Sequence, residues 1–148
     1  MNPTIDVNFC HYADLQFHRH QLLATDSEHD RTIESIEDQL TALWATLDEP
    51  QRQSLNGMSA DLNWIRRNGE RAPRGRRADE VADSDRLALA LAIEQRDWHA
   101  ILLYLRHCAA VVSPPELAQL RAEAYAQLGF PEMAEAFAAF ARQLEVFT

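Results

Sequence analysis

Three histidines and a cysteine near the amino terminus are the residues whose side chains could bind a metal ion. His11 and His18 are seven positions apart, two turns along one face of a helix, and Cys10 and His20 flank them. Two ligands on one face do not close a metal site, and the chain contains neither HExxH nor two histidines at i and i+4. The cluster therefore predicts no metal site.

Motifs for nucleophilic catalysis and phosphate binding are missing from the sequence. It contains no GxSxG, GxxxxGK[ST] or GxGxxG, and its four glycines leave little scope for phosphate-cradling loops. Cys10 and Cys108 form neither a CxxC motif nor a metal-type spacing. We therefore expect a protein without catalytic residues and without a cofactor.

Basic residues are concentrated in one short segment. Residues 65–77 carry a net charge of +5, whereas residues 1–64 carry −8 and residues 78–148 carry −6. Guanidinium groups match phosphate geometry, so this segment is the candidate anion or nucleic-acid contact. It holds no aromatic residue for base stacking, and we favour an exposed linker over residues 66–80. The candidate contacts are Arg66, Arg67, Arg71, Arg74, Arg76 and Arg77.

Overall composition narrows the fold and the class of partner. The 148 residues are 47% hydrophobic, with only four glycines and six prolines, which favours an all-α protein over one built on many tight turns. The net charge of −9 argues against generic binding to nucleic acid or to an anionic membrane. No apolar run is long enough to span a bilayer, and the amino terminus lacks the features of a signal peptide, so we expect a cytoplasmic protein.

The residues that start and end helices are clearest in residues 81–148. A first helix begins near Ser84 and a second near Asp97. Ser113 precedes two prolines and a glutamate, a capping pattern, and this third helix ends near Gly129. Pro131 opens a fourth helix. The short connections predict antiparallel neighbours.

The second of these helix pairs aligns with the first at a shift of 34 residues. This pattern resembles the tetratricopeptide repeat (TPR), in which a small residue, an aromatic, a glycine and further alanines recur with that period. The first pair lacks the glycine, and Gln95 stands in its place; Ala118 stands where the second pair would carry the opening tryptophan. The matches are Ala88, Leu91, Ala100 and Tyr104, with Pro114 closing the unit, and then Ala122, Tyr125, Gly129, Ala134 and Ala141.

The resemblance implies a function in protein–protein interaction. In TPR-like folds the first helix of each pair lines a groove that holds a peptide or helix of a partner. Such grooves are basic when they bind acidic chaperone termini, whereas this one is neutral to acidic, so we expect a basic or amphipathic segment. A nucleic-acid-associated regulator that uses the arginine segment is the alternative. The implied groove residues are Asp85, Leu89, Ile93, Gln119, Glu123 and Ala126.

An apolar stripe marks a long helix at about residues 28–47 in the amino-terminal helical region, residues 1–65. Its spacings of 3, 4, 3 and 4 are those of a short coiled coil. Because two heptads are short for an autonomous coiled coil, we favour a contact within the chain, with a homodimer as the alternative. The stripe consists of Ile33, Ile36, Leu40, Leu43 and Leu47, with Trp44 beside them.

Shorter helices are expected on either side of this stripe. Apolar residues from Tyr12 to Leu23 predict one helix before it. After it, Pro50 suits the first turn of a helix that reaches Leu55, and Asn56-Gly57 is expected to break that helix before another short turn begins.

Overall fold

The computed structural model describes residues 2–25, 30–67 and 81–146, and within them it contains seven α-helices and no strand. The chain divides into two compact units, Met1–Arg66 and Arg67–Thr148. The predicted all-α class is confirmed.

Three helices form the amino-terminal unit: α1 (Val7–Leu23), α2 (Asp30–Trp44) and α3 (Glu49–Arg66). Both α2 and α3 pack against α1. Ile36 from the apolar stripe is buried, as is Leu47 in the turn after α2. These two residues therefore contribute to the core of this unit, and the choice between a contact within the chain and a homodimer stays a prediction.

Side-chain caps fix the starts of α1 and α3. Asp6 accepts a hydrogen bond from the backbone N–H of Phe9 at 2.9 Å. Asp48 and Gln51 exchange hydrogen bonds, each side chain accepting from the other residue's backbone N–H at 2.9 Å. The buried Gln51 amide also donates to the Thr4 carbonyl at 2.8 Å and to Asp6 Oδ2 at 3.2 Å. Gln51 thereby joins the segment before α1 to the start of α3.

The expected break at Asn56-Gly57 is wrong, because α3 runs without interruption across both residues. A glycine inside a helix costs about 1 kcal/mol relative to alanine. Leu55, Met58 and Leu62 are buried on one face of α3, and burial of a large apolar side chain contributes about 1.5–3 kcal/mol. Tertiary packing therefore outweighs the local preference for a turn.

Four helices form the carboxy-terminal unit: α4 (Asp83–Gln95), α5 (Trp98–His107), α6 (Pro114–Gln127) and α7 (Pro131–Val146), with a 3₁₀ turn (Ala109–Val111) after α5. Consecutive helices contact one another: α4 with α5, α5 with α6, and α6 with α7. Loops of two and three residues make α4–α5 and α6–α7 antiparallel hairpins.

Side-chain caps set the starts of α5 and α6 as the sequence predicted. The Asp97 carboxylate accepts from the backbone N–H of Ala100 at 3.3 Å, at the start of α5. The Ser113 hydroxyl accepts from the backbone N–H of Glu116 at 3.4 Å, at the start of α6. Each helix therefore begins where the sequence placed it.

The buried positions of α4 coincide with buried positions of α6 at a shift of 33 residues rather than 34. At a shift of 33 residues, Leu89 corresponds to Ala122 and Ala92 corresponds to Tyr125, and all four residues are buried. At 34, Leu91 would correspond to Tyr125, yet Leu91 is 51% exposed and Tyr125 is fully buried. The faces that α4 and α6 turn inward are therefore related by 33 positions.

Candidate functional site

The predicted groove residues are only partly accessible. Leu89 is 7% exposed and belongs to the core, because the 33-residue relation turns it inward. Asp85 is half-buried, and Ile93 is 39% exposed. On α6 all three predicted positions are exposed, namely Gln119, Glu123 and Ala126.

Two leucines on the outer face of α4 form the most exposed apolar pair of that helix. Leu87 is 71% exposed and Leu91 is 51% exposed, and their spacing of four places them one turn apart on one face. Asp83 and Glu94, both exposed, lie before and after them at spacings of four and three. We call these four residues the α4 stripe: an acid, two leucines and a second acid.

Among the described helices of the carboxy-terminal unit, α4 has fewer extensively packed neighbours than α6, which accounts for the exposure of the α4 stripe. Among the described helices, α6 packs extensively against both α5 and α7, whereas α4 packs extensively against α5. At the shift of 33, Leu91 corresponds to Ala124, which is fully buried. The α4 stripe therefore occupies a position that the corresponding helix of the second hairpin buries against a neighbour.

A cleft of about 510 Å³ opens in the amino-terminal unit, where α2 and α3 both lie against α1. Side chains from all three helices line it, at spacings of three or four along each helix that bring them to one face. Its size falls within the range of small-molecule sites. The lining residues are Tyr12, Gln16, Arg19, Glu37, Leu40, Thr41, Trp44, Asn56 and Ser59.

Two aromatic rings form one wall of the cleft. The centroids of Tyr12 and Trp44 are 5.4 Å apart, with the rings inclined at 45°. The Arg52 guanidinium lies 5.5 Å from the Trp44 ring centroid and donates two hydrogen bonds to the Trp44 carbonyl, at 2.9 and 3.2 Å. The contacts with Arg52 and Tyr12 hold the Trp44 ring in place. Burial of the Tyr12 side chain raises the pKa of its hydroxyl.

Polar groups complete the cleft. Arg19 Nε lies 3.1 Å from Glu37 Oε1, and both side chains are partly exposed, at 38% and 50%. The Gln16 amide donates to the Leu55 carbonyl at 3.2 Å. Its buried Oε1 has no hydrogen-bond donor within the described structure. The cleft therefore combines one cation, one anion and a buried acceptor without a donor.

The amino-terminal histidines do not converge. His11 and His18 are exposed, whereas His20 is half-buried with its ring centroid 5.9 Å from that of Phe17. Burial, and then the charge of Arg66, lower the pKa of His20. Among the described residues, no group of three or more His, Cys, Asp or Glu side chains is placed to hold a metal ion.

The arginine segment falls largely outside the described residues. Arg66 ends α3 and donates to the Asn63 side-chain oxygen, and Arg67 follows it; both are exposed. The assignment of an anion contact to the whole segment stays a prediction. The candidates that lie outside the described residues are Arg71, Arg74, Arg76 and Arg77.

Neither the cleft nor the α4 stripe is predicted from the sequence. Tyr12, Gln16 and Arg19 are spaced by four and three along the chain, a signal of one helix face, but nothing local shows that α2 and α3 leave that face open. The 34-residue alignment matched Leu91 with Tyr125, a position that is buried in the second hairpin, and gave no sign that Leu91 is exposed.

Comparison of the chain with protein-family models, with curated proteins and with solved structures finds no match. Within the described ranges, none of the helices has the length and apolar character needed to cross a bilayer.

Proposed function

We propose that the chain is a non-catalytic protein–protein interaction module. Its carboxy-terminal unit consists of TPR-like helix pairs and binds a basic amphipathic helix of a partner protein along the α4 stripe. The exposure of Leu87 and Leu91 on one face of α4 is the observation that carries the proposal. Support for the TPR-like arrangement comes from two consecutive antiparallel hairpins and from the buried faces of their first helices, α4 and α6, which are related by 33 positions, close to the repeat length of 34.

An apolar partner surface would gain free energy by covering these leucines. Full burial of an exposed leucine contributes about 1.5–3 kcal/mol, and both leucines retain half or more of their surface in water. In repeat architectures each helix pair requires a neighbour to cover its apolar face, and α4 is the first described helix of this unit. A partner helix laid along α4 would act as that neighbour.

Charge selects the partner's chemistry. Asp83 and Glu94 bracket the two leucines, so a matching helix carries two apolar residues one turn apart with a lysine or arginine at each end.

A second copy of the chain fits the α4 stripe poorly. Antiparallel pairing of two α4 stripes would bring Asp83 of one close to Glu94 of the other, and parallel pairing would place identical acids together. We therefore assign the surface to a basic partner helix rather than to a homodimer.

Two designed helical peptides test the assignment against the full chain. Both carry leucines at i and i+4; one has lysines at the flanking positions and the other has glutamates. Isothermal titration calorimetry should detect the lysine peptide and show about tenfold or greater weakening for the glutamate peptide. Replacing both stripe acids, Asp83→Lys with Glu94→Lys, should reverse that preference.

Matched variants locate the contact. Leu91→Ser should abolish binding, whereas Leu103→Ser, a leucine of similar exposure (48%) on α5, should leave it unchanged. Equal effects of the two serine variants, or no binding by either peptide, would overturn the proposal. Loss of binding on Glu123→Lys but not on Leu91→Ser would place the partner in the groove implied by the sequence resemblance instead. A dimer in light scattering that Leu91→Ser dissolves would assign the face to a second copy.

A further inference from the structure

The cleft between α1, α2 and α3 presents a combination of groups that the proposed partner contact does not use. We propose that this cleft binds a small aromatic zwitterion, the chemistry of a free aromatic amino acid. The inference is independent of the α4 stripe, which belongs to the other unit of the chain. Two features of the lining carry it: an aromatic wall, and a cation next to an anion.

The aromatic wall suits a flat apolar group. Tyr12, Leu40 and Trp44 supply apolar surface from two helices, and the cleft volume of about 510 Å³ accommodates an aromatic side chain with its backbone atoms. Aromatic pairs favour offset or edge-to-face arrangements with centroids about 4.5–7 Å apart. Because Arg52 and Tyr12 both contact Trp44, the wall is ordered before a ligand arrives, and little conformational entropy is lost on binding.

The charged pair selects a zwitterion over a simple ion. Arg19 and Glu37 form a single contact in which each side chain is more than one-third exposed, and an exposed pair of this kind contributes little to stability. Exchanging this pair for the carboxylate and ammonium of a ligand is therefore inexpensive. An anion alone would leave Glu37 without a counter-charge, and a cation alone would leave Arg19 without one. Only a ligand carrying both charges pairs with both residues.

Polar side chains complete the lining. The Gln16 amide donates to the Leu55 carbonyl at 3.2 Å, which orients this side chain. The ammonium of a zwitterion has three N–H donors, so beyond Glu37 it can donate to further acceptors of the lining. Asn56 and Ser59 line the α3 side and offer further polar contacts.

Calorimetry of the full chain with three related probes separates the charge requirements. L-phenylalanine carries both charges, phenethylamine carries only the cation, and 3-phenylpropionate carries only the anion. We expect L-phenylalanine to bind and each singly charged analogue to bind about tenfold more weakly or worse. Glycine, a zwitterion without the ring, should bind too weakly to detect. If an analogue binds as tightly as L-phenylalanine, or if L-phenylalanine gives no heat at about 10 mM, the proposal is overturned.

Charge-neutral variants test the assigned residues. Arg19→Gln and Glu37→Gln should each weaken L-phenylalanine binding about tenfold. Arg31→Gln and Glu34→Gln, exposed residues of the same types on α2, are the matched controls and should leave it unchanged. Circular dichroism of each variant checks that the helices are retained. Unchanged binding in both cleft variants would show that the pair does not hold the ligand. This result would leave the peptide contact on α4 untouched, so the two proposals fail separately.

Discussion

Arg96 and Gly129 occupy the same left-handed backbone region in the loops of the two hairpins. Their φ angles are +56° and +94°, and Arg96 precedes Gly129 by 33 positions. Glycine adopts this region without a steric penalty, whereas an L-residue with a Cβ pays about 1–2 kcal/mol. The first hairpin thus makes its turn with a strained residue, where the second uses the residue suited to it.

Exchanging the residue types at these two turns should move stability in opposite directions. Arg96→Gly should raise the free energy of unfolding by about 0.5–1 kcal/mol by relieving the strain. Gly129→Ala should lower it by about 1 kcal/mol, and the cost should be purely conformational because no atom lies within 4 Å of an added Cβ. Urea unfolding followed by circular dichroism measures both. Destabilisation by Arg96→Gly would contradict the strained turn.

The stacked rings of Tyr125 and Phe137 form the centre of the α6–α7 hairpin. Their centroids are 5.4 Å apart at an interplanar angle of 22°, and both side chains are fully buried. Phe137→Ala should cost about 3–5 kcal/mol because it leaves a cavity against Tyr125. Val146→Ala, on the same helix at 79% exposure, should change stability by less than about 0.5 kcal/mol. Similar costs in thermal unfolding would show that this pair does not organise the hairpin.

His20 should make the amino-terminal unit sensitive to mild acid. Its pKa is lowered from 6.5 by burial and by the charge of Arg66, so below pH 6.5 the unfolded chain takes up a proton more readily than the folded one. Stability should therefore be lost as the pH falls from 6.5 towards the lowered pKa of the folded state.

The measurement is the free energy of unfolding at a series of pH values between about 5 and 8. His20→Gln should flatten the profile, and His99→Gln should do so too, because burial lowers the pKa of His99. His18→Gln, which removes an exposed imidazole from α1, is the control. A profile that His20→Gln leaves as steep as that of the parent chain would refute the assignment.

The starts of the carboxy-terminal helices could be predicted from the sequence because local chemistry fixes them. Asp97 and Ser113 cap the helices that follow them, and Pro131 opens the last. The length of α3 could not be predicted in this way. Asn56-Gly57 favours a turn locally, and only the burial of Leu55 and Met58 against the rest of the unit keeps the helix intact.

The sequence by itself determined that the chain is helical, where most helices begin, and that short loops join the helices of the carboxy-terminal unit in pairs. Those features depend on caps, prolines and apolar spacing within a few residues of each other. Only the tertiary structure decided which face of α4 turns inward: a one-residue difference in register rotates a helix by about 100°, burying Leu89 and exposing Leu91. The tertiary structure likewise determined that the cleft forms, because Arg19 and Glu37 come from different helices and meet only through the packing of α1 against α2.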